Sequence, residues 1–133
     1  MAITTRVTRT TALPVELERV WEAICSPERL SRWLGVDVDL DVRPGGEGTA
    51  RDPDGDVRRM VVEDMEPGRR LAFHWWPCQH PARTPAEAGA STVEIDLEPV
   101  EGGTLVRVTE TAPPPTEPMT SATAPRLLAA ALA

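Results

Sequence analysis

The side chains best suited to chemistry crowd one short stretch, where His74, Cys78 and His80 bring two imidazoles and a thiol together. Donors of this kind hold zinc or copper when enough of them converge. The spacing argues against it here. His74 projects opposite to Phe73 on its strand, Pro77 interrupts the chain before Cys78, and no fourth donor is near. A Cys–His nucleophilic pair fails for want of an orienting acid. Carboxylates are abundant, but Asp37, Asp39 and Asp41, like Glu94, Asp96 and Glu98, alternate with apolar residues, which is the pattern of a solvated strand face. Acid–base work needs a carboxylate turned inward, where burial raises its pKa, and the facing of Glu63, Asp64 and Glu110 is undetermined from sequence. Arg43-Pro44-Gly45-Gly46-Glu47-Gly48 joins strand to strand and lacks the helix N-terminus of a phosphate cradle. No metal and no cofactor is expected.

The elements that position these residues start with Leu13–Gly46. Leu17, Val20, Trp21 and Ile24 recur at helical spacing, Pro14 suits the approach, and Glu16 and Glu18 favour the positive end. Ser26 reads as an N-cap with Pro27 behind it, restarting a second helix with Leu30, Trp33 and Leu34 inward and Gly35 as its stop. Val36, Val38, Leu40 and Val42 then alternate with aspartates as a half-buried antiparallel strand. Ahead of the helices, Ile3–Leu13 is a first strand. Glu47–Asp52 and Val57–Met65 form a hairpin across Asp52-Pro53-Asp54-Gly55, the second arm having apolar residues on both parities. Arg70–Trp76 follows, with Phe73, Trp75 and Trp76 crowded on it. Pro77–Ala90 reads as a loop. Thr92–Pro99 and Thr104–Thr111 are the last strands, three consecutive prolines within 112–118 exclude helix and central strand, and a short helix starts near Pro125.

At 133 residues the chain is one domain's worth, spanning 1–133. A net charge of −7 argues against a nucleic-acid or anionic-membrane surface, which needs clustered positive charge. Every basic residue is arginine, so Schiff-base chemistry on lysine is excluded. No apolar run approaches membrane-spanning length and the N-terminus has no hydrophobic signal core, so a cytoplasmic location is expected. Cys25 and Cys78 are too few for a disulfide framework and read as reduced thiols.

The order of these elements, Val20-Trp21, Ser26-Pro27-Glu28-Arg29-Leu30, Arg32-Trp33-Leu34-Gly35, Arg43-Pro44-Gly45-Gly46, Glu66-Pro67-Gly68-Arg69-Arg70-Leu71 before Phe73-His74-Trp75, and Gly103-Thr104 resemble the SRPBCC or START-like helix-grip superfamily. The branch they are most similar to is named after the activator of heat-shock protein 90 ATPase. The resemblance implies an α+β fold, a curved antiparallel sheet of six to seven strands gripping a C-terminal helix, with an apolar cavity between them. It implies a small hydrophobic molecule as partner, walled by Trp33, Val38, Leu40, Phe73, Trp75 and Ile95. Filling a core is at least as common a role for residues of this size. The superfamily's last helix is usually long, whereas here it is short, so either the cavity is open on that side or a second copy covers the sheet as a homodimer. Two other readings come with the resemblance. One is a polyketide cyclase or aromatase, which an inward histidine, arginine or carboxylate would favour, with His74 and Arg107 the first to mutate. The other is a protein-interaction role with a chaperone or regulator.

Overall fold

The computed structural model describes residues 4–79 and 89–113. The expected loop over 77–90 lies largely outside them, as do the short helix near Pro125 and most of its proline-rich approach. Seven strands and two helices follow the chain as β1 (Thr5–Leu13), α1 (Leu17–Cys25), α2 (Pro27–Leu34), β2 (Asp37–Leu40), β3 (Glu47–Arg51), β4 (Val57–Glu66), β5 (Arg70–Pro77), β6 (Ser91–Val100) and β7 (Gly103–Ala112). All seven strands join one unclosed antiparallel sheet in the order β1-β7-β6-β5-β4-β3-β2. This is the α+β helix-grip architecture. From β2 to β7 each strand pairs with the next, while β1 and β2 sit on opposite edges. The helix pair that links them must therefore cross one face of the sheet.

That crossing makes the core. Val20 and Ile24 of α1 and Leu30 and Leu34 of α2 are buried against Met60, Val62, Leu71, Phe73, Val93, Ile95, Val106 and Val108 of the sheet. The second helix starts at Pro27 and ends at Gly35, whose φ of 70° is the left-handed conformation glycine adopts without a Cβ penalty. Ser26 holds the N-cap position, but its side chain makes no capping bond. The helix start is fixed instead by the Ser26 carbonyl, which accepts the Leu30 N–H at 2.8 Å.

The ambiguous parity of β4 has a physical cause. Its pairing with β5 slips between Val62 and Asp64, a bulge that inserts Glu63, so Arg58, Met60 and Val62 share the core side with Met65. The Arg43–Gly46 turn is fastened to this point, with Gly45 N–H donating to the Val62 carbonyl at 2.9 Å and Val62 N–H to the Gly46 carbonyl at 2.8 Å. A Cβ on Gly46 would fall 1.8 Å from the Asp41 carbonyl oxygen, so the turn admits only glycine there.

The two edges are treated differently. At β2, the Ser31 hydroxyl of α2 accepts the Val38 N–H at 2.8 Å, and so blocks the backbone from further pairing. At β1, nine residues rich in threonine, with exposed Arg6 and Arg9, form the other edge.

Candidate functional site

The residues expected to wall a cavity lie together in the core beneath the helix pair. Val38, Leu40, Phe73, Trp75 and Ile95 are buried in one cluster, and Trp33 packs half-buried against it. Phe73 meets Trp75 edge to face, with ring centroids 5.6 Å apart, a favoured aromatic arrangement.

Set into this wall is a polar pole. The Arg58 guanidinium lies 4.5 Å over the Trp75 ring, and the Trp75 Nε1–H donates to Glu110 Oε2 at 3.1 Å. Arg58 is only 8% exposed and Glu110 only 4%. Register explains the meeting. Trp75 is opposite Met60 on β4, two residues along from Arg58. On the other side Phe73 is opposite Val93, and Val93 is opposite Glu110. One indole therefore holds a cation on its face and an anion at its edge, both favourable to its charge distribution. At this depth charges act through a lower effective dielectric than at the surface.

The residues singled out for chemistry lie elsewhere. His74 is on the outer face, with Nε2 3.0 Å from Glu63 Oε2 and Nδ1 3.0 Å from Thr92 Oγ1. Both ring nitrogens are thus engaged by protein groups. Cys78 is exposed just past β5, and His80 lies outside the described residues. Arg107 is exposed on the outer face opposite Asp96. The Glu63 bulge also turns Asp64 outward to Arg70, which bonds Glu94 at 3.2 Å and Asp96 at 3.4 Å. Desolvation pulls the Arg70 pKa down, but the hydrogen bonds and charges of Glu94 and Asp96 outweigh it and hold the value above the ordinary range. Burial pushes the Cys25 thiol up. A groove of about 660 Å³ runs past Leu17, Arg69, Arg70, Leu97, Leu105 and Arg107, away from the expected wall. In the β3–β4 turn, Asp52, Asp54 and Asp56 bring carboxylates within 4.8 Å of one another. Within the turn Asp54 Oδ1 accepts the Asp56 N–H and the Asp56 carbonyl accepts the Asp52 N–H, and Asp52 is itself buried.

Arg58 and Glu110 were the residues that sequence reasoning missed as a pair. The available signal was parity, because Glu110 continues the Thr104, Val106, Val108 side of β7 and Arg58 the Met60, Val62 side of β4.

Among the described residues no helix is long and apolar enough to cross a membrane. Comparison with curated proteins finds no match. Several solved structures share the fold. Protein MLL2253 from Mesorhizobium loti is 23% identical, with 81% of this chain and 76% of that one covered at a TM-score of 0.67. The Aha1 dimer from Colwellia psychrerythraea is 19% identical, with 85% and 80% covered at 0.64. DynU16, a protein of the dynemicin biosynthetic locus, is 23% identical at 0.67, with 85% of this chain matching 38% of that one. The family model described as activator of Hsp90 ATPase homolog 1-like protein matches residues 14–127, which is most of the chain, and the protein therefore belongs to that family.

Proposed function

We propose that this chain is a small-molecule-binding module whose site is the core face of the sheet, with no reaction required of it. The observation that carries the reading is the buried Arg58–Trp75–Glu110 pole within an otherwise apolar wall. Burying charge costs free energy even when it is paired, and well-packed apolar residues of similar volume often stabilise a fold as well or better. A charged pole kept at the centre of the wall therefore favours a role in orienting a guest. Apolar area supplies affinity and a few fixed polar groups supply orientation, the usual division in small-molecule sites. In this reading Trp33, Val38, Leu40, Phe73, Trp75 and Ile95 form the wall.

A catalytic reading through His74 or Arg107 is disfavoured, because both belong to the outer face. A second copy is a further partner in this proposal. The similar Colwellia protein is a dimer, and β1 offers a nine-residue edge. Native mass spectrometry of the gently purified protein, compared with its denatured mass, tests both points at once. The expected spectrum carries a mass excess of small-molecule size. A bare native mass under conditions that keep the protein folded would count against the binding reading, and a bare dimer would shift the weight to an interaction role.

A further inference from the structure

We infer that the groove beside the β4–β5 turn is a second ligand site, and that it takes a small zwitterion with an apolar body, namely a short apolar peptide with both termini free. None of the residues proposed to wall the core-face site lines it, so its ligand is independent of that reading. Backbone contacts hold its walls in place. The Arg69 carbonyl accepts the Leu97 N–H at 2.7 Å, which ties the turn to β6. Gly68 adopts a φ of 76°, and a Cβ there would meet Leu17 Cδ2 at 3.6 Å, so the turn also backs onto α1. Leu17, Leu97 and Leu105 give the groove an apolar lining. Its volume of about 660 Å³ falls in the range of small-molecule sites, roughly 300–1,000 Å³.

The charges around this lining decide the class of ligand. At the centre Asp96 is opposite Arg70 on one side and Arg107 on the other, and it bonds Arg70 at 3.4 Å. Arg70 and Asp96 therefore answer each other. Glu66 and Arg69 on the turn, and Glu98 and Arg107 on β6 and β7, line the groove and are exposed. Among the described residues their side chains enter no ion pair or hydrogen bond. Each wall thus offers one cation and one anion with bonding capacity to spare. Arginine only donates and an ionised carboxylate only accepts. A ligand lying across the groove with an ammonium at one end and a carboxylate at the other meets an opposite charge at both ends, in either direction. A singly charged ligand answers one kind of group and covers the other without bonding to it. Because these groups are exposed, each pairing gives only a severalfold gain.

Isothermal titration with trileucine, N-acetyl-trileucine and trileucine amide separates the cases, since the three share one body and differ in terminal charge. Trileucine should bind tighter than either derivative by at least about threefold in low salt. The three should converge in about 1 M salt, where the charges are screened. In the double variant Arg69→Gln, Arg107→Gln both unpaired cations are gone, so the amide should bind as tightly as trileucine or tighter. Arg29→Gln, exposed on α2 and outside the groove, should leave the wild-type order intact. Either derivative binding the wild type as tightly as trileucine would overturn the inference. So would an unchanged order in the double variant, which would put the peptide elsewhere, or no binding by any of the three. The core-face reading survives each of these outcomes, because its own residues are untouched by them.

Discussion

Two arginines near the same pair of strands, Arg58 on β4 and Arg70 on β5, show how position decides what a charge does. Arg70 lies on the outer face with its side chain 27% exposed, among Asp64, Glu94 and Asp96. Water reaches that cluster, so its ion pairs are screened and individually worth little. Arg58 lies on the core face, stacked on Trp75 beside Glu110. There the screening is weaker and the cost of misplacement higher. The outer cluster is a solvated surface network, while the inner one is buried around a single indole.

The difference can be tested by removing one piece at a time. Trp75→Ala should have the largest effect, because it deletes a fully buried aromatic and the surface on which the pole is built. A loss of about 3–5 kcal/mol is expected in urea unfolding. Glu110→Ala should cost about 1.5–3 kcal/mol, since the Trp75 indole N–H then loses a charged acceptor in a buried setting. Arg70→Ala should cost less than about 1 kcal/mol, and the cost should shrink further in high salt. Should Arg70→Ala prove as damaging as Glu110→Ala, the contrast between the faces would be wrong.

The smallest effect concerns the two thiols. Cys78 is exposed, whereas Cys25 is half-buried on α1 and desolvation raises its pKa. Iodoacetamide at mildly alkaline pH should therefore alkylate Cys78 well before Cys25. The sign of the linkage follows from the direction of the shift. A thiol pKa higher in the folded state contributes stability below the unfolded thiol's pKa and loses it as pH rises through the folded one. Cys25→Ser should flatten that alkaline decline in a urea titration against pH.

Much of the fold was legible because local rules and tertiary packing agree. Pro27 and Gly35 bound α2 at the places their backbone preferences dictate, and the alternation of β2 and β6 appears directly as buried and exposed residues. The exceptions are instructive. Val57–Met65 was unreadable as to facing because the bulge at Glu63 reverses parity midway, and a bulge leaves no composition signal of its own. Ser26 was read correctly as a position, but the side-chain bond that would justify the residue is not made. The tempting His74 points away from the core, as the strand alternation had implied, and Cys78 is exposed just past the strand that Pro77 ends. The polar pole was hidden because its members come from three strands far apart in sequence, and only the register of β4, β5, β6 and β7 unites them.

The central claim is that the Arg58–Trp75–Glu110 pole is where a small molecule is received. The most direct measurement is a two-dimensional ¹H–¹⁵N NMR titration of the tryptophan indole N–H signals with 2-naphthol, assigned by single Trp→Phe variants. The account predicts that the Trp75 signal shifts strongly and saturably, while that of Trp76, on the opposite parity of β5, holds still. A Trp75 signal that stays in place while the probe binds elsewhere would contradict it.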